Sequence, residues 1–313
     1  MELIFFEPLY KYNVWGGYQI SQKLKAMQKT KIGESWEISA NEHGDCKIKN
    51  GEFKEKTLSE IFAIDKIRID IFGEHCKKMK RFPILIKFID ADENLSVQVH
   101  PNNFYAKKLE NGNGKKEMWY IMDCKEGNNI IYGFNDLVKT KKDLSNVNAE
   151  NILNFLNYVP IKKGDAIFVN SGTIHSIMGG TLLCEIQQNS DITYRVYDWD
   201  RNNKSRPLHL KRAKQVINLK NKLKIKNIEE TDEEVQKVFY NKYFKTDKII
   251  VQAKTSFKSN PKSFQAINII EGEGQVICND KSVDIKKGDS FLVPAKLGEY
   301  IISGNLELLR TMC

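Results

Sequence analysis

Ile161-Lys-Lys-Gly-Asp-Ala-Ile-Phe-Val169 returns, nearly residue for residue, as Ile285-Lys-Lys-Gly-Asp-Ser-Phe-Leu-Val293. Ahead of the second copy stands Ile270-Glu-Gly-Glu-Gly-Gln-Val-Ile-Cys278, a hairpin-like unit that resembles the run from Ile121 to Gly133 ahead of the first. Two related β units in one chain predict a duplicated β-barrel or jelly roll, mainly β, with helical insertions. The copies part after their shared strand. In the first, the turn Asn170-Ser-Gly172 leads to His175, whereas the aligned position in the second is Glu299. The scaffold is kept and the histidine is dropped, which predicts one functional and one structural domain.

The remaining composition sets bounds. The 313 residues are enough for about two domains. The net charge of +9 comes from 49 basic and 40 acidic residues spread along the whole chain. No clustered basic stripe with interleaved aromatics stands out, so a nucleic-acid partner is not expected. A basic excess does suit the steering of an anionic substrate. The six cysteines, Cys46, Cys76, Cys124, Cys184, Cys278 and Cys313, form no CxxC pair and read as reduced thiols of a cytoplasmic protein. Met1-Glu-Leu-Ile-Phe-Phe6 lacks the features of a signal peptide. No apolar run approaches the roughly 20 residues needed to cross a bilayer, so no membrane association is expected.

Along the chain, Thr57-Leu-Ser-Glu60 reads as a capping box opening a helical stretch over about 57–80. Phe82 to Ile89 is an apolar strand broken by Lys87, either a snorkelling residue or a cation turned into a polar cavity. Residues 136–158 read as a polar excursion, helical from an N-cap at Asn148, and residues 208–220 as a further helix. The charged stretch 221–243 places a boundary. Residues 1–225 are expected to form the catalytic domain with these insertions, and 226–313 a C-terminal domain without metal ligands.

Chemistry concentrates in Leu95-Ser-Val-Gln-Val-His100, followed by Pro101. On a strand, alternate side chains share a face, so Ser96, Gln98 and His100 converge opposite Val97 and Val99. An ordinary half-buried strand shows the same alternation without any chemistry, so the stretch is judged by what joins it. His100 and His175 each lie beside a turn, on units that a jelly roll brings together, and Glu117 begins the strand between them. Two imidazoles and a carboxylate with an open position suit catalytic zinc, and suit non-haem iron equally. Gln98 can add an amide oxygen or hold a water. His75, beside Lys77 and Lys78 near a helix end, reads as a surface residue.

These motifs resemble those of the cupins. Gly164-x5-Asn170-Ser-Gly172-Thr-Ile-His175 is similar to the second cupin motif, with Asn170 where proline is usual. Gln98-x-His100 followed by Glu117 is similar to the first, with Gln98 for its first histidine and a longer gap before the glutamate. The chain as a whole resembles the type I mannose-6-phosphate isomerases in their short bacterial form. Trp15-Gly-Gly17, Gly33-Glu-Ser-Trp-Glu-Ile-Ser39, Leu95 to Pro101 and Gly114-Lys-Lys-Glu-Met-Trp-Tyr120 carry the likeness. So do Ser171 to His175, Glu185 to Arg195, Val196-Tyr-Asp-Trp-Asp-Arg201 and Arg206-Pro-Leu-His209. Lys116, Met118 and Asn170 are small departures, and none removes a ligand.

The resemblance implies two cupin domains and a zinc-dependent aldose–ketose isomerase. It would interconvert mannose 6-phosphate and fructose 6-phosphate through a cis-enediol. One zinc per catalytic domain would be held by His100, Glu117 and His175, with Gln98 as a possible further ligand. Arg195 would be the catalytic arginine, at the enediolate or the phosphate end. Ser96, Lys87, Lys115 and Glu185 match pocket positions. Lys115 and Ser96 are expected to touch phosphate or hydroxyls. Glu185 is the candidate base, with a zinc-bound water as competitor. Structural readings stand beside these roles: a salt bridge inside the barrel for Glu185, and an ion pair with Asp191, Asp198 or Asp200 for Arg195. The partner would be a small sugar phosphate, and the protein a monomer or homodimer. Rival readings are another cupin sugar isomerase, an iron-dependent cupin oxygenase, and a non-catalytic cupin that binds sugar phosphates.

Overall fold

The computed structural model describes residues 1–201, 203–228 and 234–313. It is mainly β, with short helices, and its described residues fall into two compact units. No described helix is long and apolar enough to cross a membrane.

The second unit comprises Asn13–Gly17 and Ile89–Asn227 and carries the histidine motifs. One antiparallel sheet runs in the order Leu156–Pro160, Asn129–Phe134, His175–Ile177, Val97–Val99, Tyr194–Tyr197. Facing it, Ile225–Asn227, Asp165–Val169, Glu117–Cys124 and Thr181–Gln188 lie side by side, again antiparallel. Strand alternation sorts the side chains. Ile130, Tyr132 and Ile177 of the first sheet pack with Trp119, Ile121, Ile167, Val169 and Leu183 of the second, forming the core between them. Val97, Val99, Ile131, Tyr194 and Val196 point the other way. They are covered by Ala213 and Val216 of the helix Leu210–Val216 and by Leu144, Val147 and Ile152. The valines of the 95–100 stretch are therefore the outward, helix-covered side, and the alternate residues face the space between the sheets.

The first unit comprises Met1–Tyr12, Tyr18–Phe88 and Ile228–Cys313. Its sheet runs Ile4–Phe5, Ser290–Val293, Gln265–Cys278, Glu299–Met312, Lys245–Lys258, Val235–Tyr240, with Lys281–Lys286 pairing Gln265–Cys278. Ile249, Val251, Ile267, Phe291, Ile302 and Leu308 fill its core. This grouping sets the N-terminal strands in one unit with the C-terminal ones. Ile4 pairs with Leu292, and the backbones of Glu74 and His75 bond to Pro261 and Lys262. The rings of Phe72 and Phe82 pack on Phe264. These contacts tie Met1–Tyr12 and Tyr18–Phe88 to the C-terminal strands.

The repeated sequence builds one turn twice. Lys162 N donates to Asp165 Oδ2 at 2.9 Å, and Lys286 N donates to Asp289 Oδ2 at 2.9 Å. In each, the glycine takes a left-handed conformation, φ 88° at Gly164 and 92° at Gly288, which a side chain rarely adopts.

Two further elements differ from expectation. The capping box at Thr57 and Glu60 opens a helix as read, Leu58–Phe62, followed by Asp65–Phe72. The helix expected from Asn148 does not form; Asp143–Asn146 and Ile152–Phe155 are 3-10 turns, and Leu156–Pro160 is a strand. Asn148 Oδ1 does accept from the Glu150 and Asn151 amides, but in a run so rich in asparagine such local bonds replace a helix rather than start one. Conversely, Asn103–Glu110 is a helix, capped by Asn102 Oδ1 accepting from Tyr105 N at 3.0 Å. It accounts for the long gap between His100 and Glu117.

Candidate metal centre

His100, Glu117 and His175 meet between the two sheets of the second unit, with their ligand atoms all within 4.8 Å of one another. Among the described residues they form the only such cluster. Each arrives by ordinary strand logic. His100 ends the Leu95 stretch on the face opposite Val97 and Val99, and its carbonyl accepts from Gly172 N at 2.8 Å, pinning it to the turn that delivers His175. Glu117 shares a strand face with Trp119, a residue of the core between the sheets.

Hydrogen bonding sets the tautomers. His100 Nδ1–H donates to the Ile192 carbonyl at 2.8 Å and His175 Nδ1–H to the Thr173 carbonyl at 2.9 Å, so each Nε2 lone pair is left to face the cluster. Burial holds both imidazoles neutral: it lowers His100, helped by the nearby Lys115, and it pushes His175 down to about 3. Burial works against the Glu117 carboxylate, but the Lys115 ammonium outweighs it and holds its carboxyl well below the usual range. Neither Glu117 oxygen nor His175 Nε2 has an aligned hydrogen-bond partner, although all are buried. Two neutral imidazole nitrogens and an ionised carboxylate converging in the interior are the donor set of a divalent cation.

Lys115 stands in the same place. Its Nζ lies 2.5 Å from Glu117 Oε1, 3.4 Å from His100 Nε2 and 3.5 Å from Glu185 Oε1. Gly114 makes this possible, because a Cβ there would sit 2.6 Å from the Asn102 carbonyl carbon. Glu185 is buried beside the cluster, and its Oε2 accepts from Trp119 Nε1–H at 3.1 Å. Trp119 was visible in the sequence only as an apolar strand residue. Its place two positions after Glu117, on the same face, was the signal that it orients Glu185.

The remaining expected residues are placed as follows. Gln98 lies opposite His175 on one side and opposite Arg195 on the other, so the three form one row across adjacent strands. Its Oε1 accepts from Ser96 Oγ–H at 3.3 Å. Arg195 Nε is buried without a hydrogen bond, while Nη1 donates to Pro207 O at 3.2 Å. Its Nε is 4.0 Å from Asp198 Oδ1, beyond hydrogen-bond range. Lys87 belongs to the first unit, where its Nζ lies 3.2 Å from Glu34 Oε2. His209, which ends the Arg206-Pro-Leu-His209 stretch, grips the Arg195 backbone from both sides: His209 N donates to Arg195 O at 2.6 Å, and Arg195 N donates to His209 Nδ1 at 3.3 Å.

Comparison with known proteins places the chain in a family. Residues 4–130 match the family model for the type I phosphomannose isomerase catalytic domain, and residues 234–313 match that for the mannose-6-phosphate isomerase cupin domain. The mannose-6-phosphate isomerase ManA of Bacillus subtilis is 38% identical over 98% of both chains. A crystal structure of the mannose 6-phosphate isomerase from Bacillus subtilis superposes with a TM-score of 0.89 at 34% identity, covering 99% of each chain. A further solved mannose 6-phosphate isomerase, described as bound with zinc and yttrium, shares the fold at 16% identity and a TM-score of 0.78, again over 99% of each chain. The chain belongs to the type I mannose-6-phosphate isomerases.

Proposed function

We propose that this protein interconverts mannose 6-phosphate and fructose 6-phosphate, with a zinc ion held by His100, Glu117 and His175. The observation that carries the reading is the buried set of two neutral Nε2 lone pairs and an ionised carboxylate with Glu185 beside it, in a chain of this family. Bound zinc would supply Lewis-acid polarisation of the substrate carbonyl.

The chain's own groups account for the rest. Moving a proton between adjacent carbons through a cis-enediol needs one base that reaches both. Glu185 fits this role because Trp119 Nε1–H fixes one of its oxygens while the other faces Lys115. Lys115 and Ser96 offer donors to substrate hydroxyls or phosphate. Arg195 lies in a row with Gln98 and His175 and offers a guanidinium to the negative charge of the enediolate or the phosphate. Gln98 shares the strand face of His100, within reach of a further ligand role. Lys87, held by Glu34, has less support as a pocket residue.

The duplication reading also extends here: the identical Asp165 and Asp289 turns support descent of both units from one cupin, the C-terminal copy without ligands. Six free cysteines are in keeping with a cytoplasmic enzyme.

A coupled assay that detects fructose 6-phosphate formed from mannose 6-phosphate, run with and without chelator beside metal analysis, tests the proposal. Product that disappears with the metal is expected. A zinc-loaded protein that makes no product contradicts it.

A further inference from the structure

Arg195 sits beside a carboxylate that ought to neutralise it. Asp198, three residues on, is 8% exposed. Its two oxygens accept from Arg206 Nε at 2.8 Å and Nη2 at 2.9 Å, and Arg201 Nη1 approaches at 3.4 Å. Arg195 Nε, at 4.0 Å, is left out. A bidentate guanidinium is the strongest partner a carboxylate can find among side chains, so Arg206 has taken the place that Arg195 could fill.

The surroundings hold this choice in position. After Asp198 the chain passes through Trp199 at φ 55° and Asp200 at φ 52°, two successive left-handed residues that are not glycine. Such strain persists only where neighbours enforce it. Trp199 Nε1–H donates to Leu95 O at 2.6 Å and Tyr197 Oη–H to Asp200 Oδ2 at 2.9 Å, so the turn is fixed to the strand that carries Ser96, Gln98 and His100. Pro207 O and His209, next to Arg206 in sequence, fix the Arg195 side chain and backbone. Burial and the positive charge of Arg206 both disfavour the Arg195 cation, and Asp198 at its present distance only partly offsets them.

We propose that Arg206 is a positioning residue: by occupying the Asp198 carboxylate, it keeps that carboxylate from hydrogen-bonding Arg195 and leaves Arg195 Nε available to an anionic group of the substrate. This rests on the reading that Arg195 meets such a group. Without Arg206, Asp198 needs to move only about 1 Å to reach hydrogen-bond distance of Arg195 Nε. The carboxylate would then cancel the charge that the substrate needs.

The test is a charge rescue. Arg206→Ala should lower kcat/KM by on the order of tenfold or more, a part of the 10² to 10³ that a transition-state electrostatic partner contributes. Adding Asp198→Asn to Arg206→Ala removes the competing carboxylate and should restore most of the loss, which a merely structural role of Arg206 would not produce. Should Arg206→Ala fail to fold by thermal melting, Arg206→Gln, with and without Asp198→Asn, gives the same comparison. Unchanged kcat/KM in the single variant overturns the proposal, as does a loss that Asp198→Asn does not repair. Arg195→Ala separates the two levels. If it is inactive and no rescue occurs, only the role of Arg206 falls; if it is fully active, the premise about Arg195 falls as well.

Discussion

Replacing Lys115 with methionine should weaken the metal-free protein far more than the metal-loaded one. The ammonium lies 2.5 Å from Glu117 and 3.5 Å from Glu185, and the three side chains are 5%, 1% and 3% exposed. Solvent can screen little there. Removing one partner of a buried pair leaves a charge without compensation, at a cost of roughly 3–5 kcal/mol. In a unit of this size 1 kcal/mol moves Tm by roughly 2–4 °C, so melting in chelator should fall by roughly 6–20 °C. A divalent cation on His100, Glu117 and His175 supplies the missing positive charge, so saturating zinc should at least halve that fall. The variant should also bind zinc more tightly than the parent, because no ammonium competes for Glu117. Thermal melting in chelator and in zinc, with a zinc titration, reads all three. An equal loss with and without zinc, or none in chelator, would refute the reasoning.

The metal-free protein should lose stability as pH falls from about 6.5 toward 3. Burial holds His175 at about 3, so the unfolded chain takes up its proton across that window while the folded one does not, at up to about 1.4 kcal/mol per pH unit. His100 acts in the same direction, and Glu117 adds its loss at lower pH, as its depressed carboxyl protonates. Denaturant unfolding of the chelated protein between about pH 7 and pH 5 checks this, and a flat profile contradicts it. Glu185→Gln keeps an acceptor for Trp119 but removes the base. It should lower kcat by on the order of 10² to 10⁴ with zinc retained, and a near-normal kcat removes Glu185 from the role. Arg195→Ala should retain zinc and fold while lowering kcat/KM by on the order of 10², measured in the same coupled assay.

The parts of the molecule legible in the sequence are those encoded within a few residues. The alternation of Ser96, Gln98 and His100 against Val97 and Val99 needs only strand geometry, and the fold puts the valines under the helix Leu210–Val216 and the histidine in the interior. The Thr57 capping box is equally local. What could not be read depends on pairing between distant segments. The association of Met1–Tyr12 and Tyr18–Phe88 with the C-terminal strands rests on contacts such as Ile4 with Leu292. The company of Lys115 depends on how the Asn103–Glu110 helix folds back, and that of Lys87 on Glu34, far away in sequence. At Asn148 a local signal was present but served a turn, because the same side chain can cap a helix or replace it. The choice of Asp198 between Arg195 and Arg206 is likewise invisible in sequence, since both arginines lie within reach.

The row His175–Gln98–Arg195 is a ruler as well as part of the proposed site. Its ends are two inter-strand spacings apart along the backbone, roughly 9–10 Å. That interval is set by main-chain hydrogen bonds, which no side-chain substitution can stretch. Drift in sequence can therefore exchange the chemistry at either end one residue at a time, while the length of substrate that spans them stays the same. A relative that accepted a markedly longer or shorter molecule across the row would need a strand inserted or lost, or would have to bind it in another direction.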